Sequence, residues 1–193
     1  DYEINTTGDY VRPPVNDPTK VDILPVNIEQ NDRRQPIPYR QPPGIQRQQQ
    51  ISNNNVQLLL NEQSLSLRVT GLAKNQSRGL FKSMNLDLRQ YGRIAMFIHA
   101  ESTKQGGTDI KDNNLNAVIR LGNDYVSNYY EVKVPLKITP WGASDSLTIW
   151  PETNNLDFDL AILTALKSRR NNTGGSPSPY FHETIDRKQH AIM

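Results

Sequence analysis

The sequence predicts a mainly β protein: a β-sandwich over residues 56–193 with one short helix, preceded by an extended Pro/Gln-rich arm over residues 1–55. Three observations carry that reading. Short segments with strand-like alternation recur downstream of residue 56, separated by Gly-, Asn- and Asp-rich turns every 8 to 12 residues. A single segment, Leu160 to Ser168, has helical composition. Eight of the 13 prolines fall before residue 45, where apolar residues show no period.

The arm comes first. Pro13-Pro14, Pro18, Pro25, Pro36, Pro38 and Pro42-Pro43 each remove a backbone donor and bias the preceding residue toward extended geometry. Gln46 to Gln50 and Ser52 to Asn55 add a polar tract. Such composition cannot bury enough apolar surface to offset chain entropy by itself. The arm is therefore expected to be held by strand pairing or by docking, with a short strand around Val21 to Val26. A proline-rich peptide ligand is the functional alternative to a connecting arm.

From Val56 the pattern changes. Val56 to Leu60 is a short apolar run, and Ser64 to Leu72 alternates, with Leu65, Leu67 and Val69 facing one way. Arg78 to Glu101 reads as two consecutive strands about a turn at Tyr91-Gly92. In the first, Met84, Leu86 and Leu88 alternate with Asn85 and Asp87. The second, Ile94 to Ala100, is nearly all apolar and is expected to be a central, buried strand. Ser102 to Asn114 reads as a loop, and Ala117 to Leu121 and Tyr129 to Thr139 as strands. Pro135 marks an edge or a bulge in the latter. Ser146 to Trp150 is expected as a further short strand. Asp157 or Asp159 would cap the helix, and Asn171 to Pro179 forms a flexible loop. A last strand opens at Ala191.

Composition bounds the chemistry. The absence of cysteine excludes disulfides and thiolate catalysis, and the net charge of +2 with no long basic run gives no electrostatic case for nucleic acid. No stretch approaches the roughly 18 to 20 apolar residues of a membrane helix. The chain starts without Met and reads as a piece of a longer or processed protein.

Candidate sites are sparse. Asp109, Asp112, Asn113 and Asn114 offer oxygen ligands but lack the spacing of a calcium loop, so a solvated loop is favoured. His99, His182 and His190 have no metal-binding spacing, and His99 is expected to be a hydrogen-bonded residue of the sandwich. Glu101, Glu131, Glu152 and Glu183 are the carboxylates from which a glycosidase pair would be drawn. Tyr129, Tyr130, Trp141 and Trp150 are the candidate ligand-contact aromatics, a sugar-stacking platform in one reading and packing residues in the other.

Several motifs occur in an ordered series: Pro36-Ile37-Pro38-Tyr39-Arg40-Gln41-Pro42-Pro43, Asn61-Glu62-Gln63-Ser64-Leu65, Asn85-Leu86-Asp87-Leu88-Arg89-Gln90-Tyr91, Met96-Phe97-Ile98-His99-Ala100-Glu101, Ile119-Arg120-Leu121-Gly122, Asn128-Tyr129-Tyr130-Glu131, Val134-Pro135-Leu136-Lys137 and Ile149-Trp150-Pro151-Glu152. Together they resemble the SprA/Sov family, the giant outer-membrane proteins of Bacteroidetes gliding motility and type IX secretion. The resemblance covers residues 35–193 and is specific as a series.

It implies a parent that is the translocon itself, a very large transmembrane β-barrel of the bacterial outer membrane passing folded, secreted cargo. This segment would be a non-barrel domain of it, on a side of the membrane left open. Implied partners are the rest of the barrel, a PorV-type shuttle protein and a plug protein. The family offers no catalytic motif and no cofactor, so a non-enzymatic structural or interaction domain is expected. A surface glycan-binding module is the alternative, and a glycosidase fragment ranks last. The sandwich resembles a jelly roll of the galactose-binding or carbohydrate-binding type. The family pattern adds a strand beyond Met193, so the sandwich is expected to present an open edge beside Ala191.

Overall fold

The computed structural model describes residues 3–5, 17–51, 57–84, 86–104, 106–107, 109–124, 127–173 and 180–193. In chain order its strands are β1 (Glu3–Asn5), β2 (Lys20–Asn27), β3 (Gln49–Ile51), β4 (Gln57–Leu59), β5 (Gln63–Thr70), β6 (Arg78–Leu80) and β7 (Arg93–Met96). There follow β8 (Asn116–Gly122), β9 (Tyr129–Pro135), β10 (Leu156–Asp159), β11 (Phe181–Ile185) and β12 (Lys188–Ile192). The helices are α1 (Ile28–Asn31), α2 (Ser146–Ile149) and α3 (Ala161–Asn172). The protein is mainly β, and every strand pairing among the described residues is antiparallel.

One four-stranded sheet, ordered β11-β12-β9-β8, forms the body. Tyr130, Val132 and Val134 of β9 share a face with Ile119 and Leu121 of β8 and His190 and Ile192 of β12. Against that face pack Ile94 of β7, Leu156 and Phe158 of β10, and Leu163 of α3. Two layers thus close over one apolar core, a sandwich-like arrangement. β7 pairs with β10 in register Met96↔Leu156 to Arg93↔Asp159, and Arg93 forms an ion pair with Asp157 across that pairing. His190 is 1% exposed among these groups, edge-on to Phe158 with ring centroids 5.4 Å apart. Burial holds its imidazole below the ordinary range, because the charged form cannot be solvated there.

Several sequence expectations are corrected here. The segments read as consecutive strands around Tyr91 do not pair with each other: β6 pairs with β1, and β7 with β10. Between them Asp87 caps a single 3-10 turn, accepting from the Arg89 amide at 3.1 Å, and this local bond displaces strand geometry. Met84 and Leu86 consequently stand exposed, while Asn85 lies outside the described residues. β7 stops at Met96, belongs to a two-stranded pairing, and exposes Met96, so it is not the central buried strand expected of Ile94 to Ala100. Residues 97–100 leave the ladder to pack their side chains into other parts of the core.

Ser146 to Trp150 is helical rather than extended, because Asp145 accepts from the Thr148 amide at 2.8 Å and caps α2. The expected caps of α3 act elsewhere: Asp157 and Asp159 lie in β10, and Leu160 starts the helix without a side-chain bond. Pro135 ends β9, a strand with neighbours on both sides, so it marks a terminus and neither an edge nor a bulge. The last strand begins at Lys188 and lies between β11 and β9, so Ala191 is fully buried and has no open edge beside it. The flexible loop expected from Asn171 to Pro179 is corrected at its start, where Asn171 and Asn172 continue α3; its residues from Gly174 on, the tract Ser52 to Asn55, Val56 and Pro13-Pro14 lie outside the described residues.

The arm joins this body in two ways. β2 pairs along its whole length with β5, from Lys20↔Thr70 to Asn27↔Gln63, so the ladder runs across residue 55. Gly71 closes the far end at φ 72°, where a Cβ would stand 2.8 Å from the Pro18 carbonyl oxygen. Beyond β2, Asn27 caps α1 by accepting from the Gln30 amide at 2.9 Å, and the chain then enters the core.

Candidate interaction surface and the docked arm

Residues 34–42 carry three prolines, so this stretch has carbonyls to satisfy and few amides with which to build a ladder. The body supplies the donors. The Trp150 indole Nε1 donates to the Arg40 carbonyl at 2.7 Å, Ser146 Oγ to the Gln41 carbonyl at 2.6 Å, and the Gly142 amide to the Pro36 carbonyl at 3.1 Å. In return Arg40 Nε donates to the Ser144 carbonyl at 3.0 Å. Ile37 is fully buried, and Tyr39 meets Trp150 edge-on with ring centroids 6.1 Å apart. Phe97 and His99 take further edge-on positions around Trp150, at 6.4 and 5.7 Å. Tyr39 Oη lies 2.7 and 2.8 Å from the two Glu62 carboxylate oxygens and 2.7 Å from Ser64 Oγ. Burial and the Glu62 carboxylate push this phenol well above its usual range.

A charged cluster fastens the same joint. Arg34 forms a two-pronged pair with Glu101, Nη1 to Oε1 at 2.7 Å and Nη2 to Oε2 at 2.6 Å, while its Nε donates to the Ile37 carbonyl at 2.9 Å. His99 places Nε2 3.0 Å from Glu101 Oε2 and Nδ1 2.9 Å from the Ile149 carbonyl oxygen. The expected hydrogen-bonded role of His99 is what this geometry shows. Desolvation alone would raise the Glu101 pKa, but the bonds from His99 and Arg34, with the Arg34 charge, outweigh it and hold the carboxyl below its ordinary value.

A pH dependence follows from that sign. A carboxyl whose folded pKa is depressed contributes stability above its unfolded pKa and loses it as pH falls through the folded value. Glu101→Gln is expected to flatten the acid limb of stability against pH, read by urea unfolding at a series of pH values below neutrality. An acid limb of unchanged slope would show that the cluster is energetically silent.

The four candidate aromatics do not form one platform. Tyr129 and Tyr130 are consecutive in β9 and so point to opposite faces. Tyr129 is 4% exposed, with the Arg120 guanidinium 4.3 Å from its ring centre. Tyr130 is half-buried beside the main core. Trp150 holds the arm, as described. Trp141 is half-buried and donates from Nε1 to the Ser102 carbonyl at 3.1 Å. A Cβ at Gly107 would stand 2.7 Å from its ring, so the loop crosses the indole on a glycine.

The acidic loop is likewise structural. Asp109 accepts from Ser102 Oγ, and Asp112 accepts from the Ile138 amide at 2.8 Å. Among the described residues no group of three His, Cys, Asp or Glu side chains could hold a metal. Of the four glutamates weighed for glycosidase chemistry, Glu101 pairs with Arg34, Glu131 with Arg120 and Glu183 with Arg169, while Glu152 opens a 3-10 turn.

What remains available is the ribbon. Val21, Ile23 and Pro25 of β2 stand opposite Val69, Leu67 and Leu65 of β5, giving one apolar face. Leu65 is 63% exposed, and Ile23 and Leu67 are also solvent-facing. The other face alternates Lys20, Asp22 and Arg68 with Leu24 and Ser66. Two strands alone are at best marginal in water, and a contiguous exposed apolar face marks a contact surface. The alternation of Leu65, Leu67 and Val69 signalled this strand; it did not reveal that the apolar side faces outward.

The fold and its surface define a mainly β module closed over its own proline-rich arm. The SprA_N family model, described as motility related/secretion protein, matches residues 5–193. The chain belongs to that family. No curated protein matches it. Among the described residues no helix is long and apolar enough to cross a membrane.

Proposed function

We propose that this chain is a non-enzymatic structural and interaction domain of the type IX secretion translocon of the bacterial outer membrane, contributing to protein export and gliding motility. Membership of a motility and secretion family supports the setting. The exposed apolar face of the β2–β5 ribbon is the observation that carries the interaction role. The polar groups around Glu101, which a catalytic reading would need unengaged, are spent on holding the arm. The partners proposed are the remainder of the barrel, a PorV-type shuttle and a plug protein, with secreted protein as cargo.

The test is made in cells of the parent bacterium. A photo-crosslinking residue at Leu65 or Leu67 is expected to capture another translocon component. Leu65→Asp with Leu67→Asp is expected to reduce secreted protein several-fold while the domain still melts cooperatively. Normal export and gliding in the double variant would overturn the proposal. Glycan binding by the purified chain that is lost in Trp141→Ala would replace it with a sugar-binding role.

A further inference from the structure

The β2–β5 ribbon has two long edges, and its register makes them unlike. The Ile28 amide donates to the Glu62 carbonyl at 3.2 Å, one step beyond the Asn27↔Gln63 pair. Hydrogen-bonded and non-bonded pairs alternate along an antiparallel ladder. The ladder bonds therefore belong to Lys20, Asp22, Leu24 and Val26 with Thr70, Arg68, Ser66 and Ser64, and the residues between them turn their backbone groups outward. On β2 these are Val21, Ile23, Pro25 and Asn27. Pro25 has no amide, and the Asn27 amide donates to Asn31 Oδ1 at 3.0 Å, so half the donors of this edge are removed. On β5 they are Gln63, Leu65, Leu67 and Val69, whose amides and carbonyls join no hydrogen bond among the described residues. Ser64 Oγ lies 2.7 Å from Tyr39 Oη, which turns its face toward the body and leaves Leu65 and Leu67 pointing away from it, both exposed.

We propose that β5 is a strand-docking edge, which takes up an extended strand of a partner protein whose alternate apolar residues continue the face of Leu65, Leu67 and Val69. The inference rests on the interaction role given above to that face and adds how the partner is held. In such docking the backbone bonds supply affinity and the alternate side chains supply selectivity. A second copy of this chain does not meet the need. Two antiparallel copies of β5 would be related by a two-fold axis perpendicular to the sheet, which sets both apolar faces side by side and uncovered. Their contact would be a strip about 27 Å long and about 10 Å deep for eight residues, well short of the roughly 800 Å² per partner of a stable interface. A partner protein can add its strand and lay the rest of its fold over the apolar face.

Hydrogen exchange of the purified whole chain tests the edge. The amides of Leu65, Leu67 and Val69 are expected to exchange about tenfold or more faster than those of Ser64, Ser66 and Arg68. Equal rates along the strand overturn the free edge, and protection that grows with chain concentration overturns the choice of a foreign partner over a second copy. In the complex isolated from cells of the parent bacterium the same three amides are expected to become protected, and exchange as fast as in the free chain overturns the docking. A photo-crosslinking residue at Leu67 is expected to join a separate protein; an adduct confined to the parent chain overturns that assignment. Leu67→Pro deletes one outward donor and no ladder bond, and Ile23→Pro does the same on the other edge. Secreted protein is expected to fall several-fold in Leu67→Pro and to hold in Ile23→Pro, with equal loss in both overturning the edge preference. Normal export in Leu67→Pro, beside reduced export in Leu65→Asp with Leu67→Asp, overturns strand docking while the apolar contact stands. Normal export in the double aspartate variant removes the contact itself.

Discussion

Trp150→Ala is expected to lower the unfolding free energy by about 3 to 5 kcal/mol, the usual cost of deleting a large buried aromatic. The indole is 7% exposed and lies at the centre of Tyr39, Phe97 and His99. Its removal takes away both that packing and the donor to the Arg40 carbonyl. Trp150→Phe separates the two contributions, since a ring remains while the bond is lost, at a cost of about 1 to 3 kcal/mol for the unmet carbonyl. Urea unfolding followed by circular dichroism measures both. Limited proteolysis adds location: cleavage in the Trp150→Ala chain is expected first between residues 34 and 42. An unchanged urea midpoint would mean that the arm is held by the β2–β5 ladder alone.

The second large effect is expected at Glu131. This carboxylate is 3% exposed in the middle of β9, accepting from Arg120 Nε at 2.7 Å and from the Tyr180 hydroxyl at 3.2 Å. Glu131→Ala removes the counter-charge facing a largely buried Arg120 and is expected to cost about 3 to 5 kcal/mol. Replacing both members, Arg120→Met with Glu131→Leu, is expected to recover most of that loss, because neither charge is then taken out of water. Tyr180 gives a spectroscopic check. Burial, reinforced by the Glu131 charge, pushes its phenol up to about 12. Raised above its unfolded value, this group contributes stability fully present below that value and lost as pH rises through about 12. Glu131→Gln should bring the phenolate absorbance transition of Tyr180 to lower pH. A transition that stays in place would break the link between the two residues.

Local patterning made some of this fold legible. The pattern across Ala117 to Leu121 appears as β8, the strand expected over Tyr129 to Thr139 appears as β9 but stops at Pro135, and the Ala- and Leu-rich stretch after Leu160 appears as α3. Where the reading failed, a single side chain redirected the backbone. Asp87 and Asp145 turn would-be strands into a 3-10 turn and a short helix, a choice that apolar spacing cannot register. Partner identity was equally hidden. Leu65 and Leu67 alternate as faithfully as any core strand, but their ladder partner is β2, and no second layer covers them among the described residues. The site chemistry was half visible: His99 and Glu101 stood out by type, whereas Arg34 lies 67 residues before Glu101 and carried no signal of its own.

The docking of the arm also fixes an order of events. The carbonyls of Arg40 and Gln41 are satisfied by side chains 110 and 105 residues later in the chain. Contacts of such long range close late and slow the search for the native state. A chain emerging from its N-terminus must therefore hold Ile37 and Tyr39 unsheltered until residues 146–150 have been made. During that interval the segment from Arg34 to Pro42 leaves Ile37 and Tyr39 exposed on a proline-rich backbone poor in amide donors, a stretch open to a holding chaperone. Synthesis past Trp150 is what supplies the cover, so a polypeptide truncated before that residue is expected to keep Ile37 and Tyr39 open to protease.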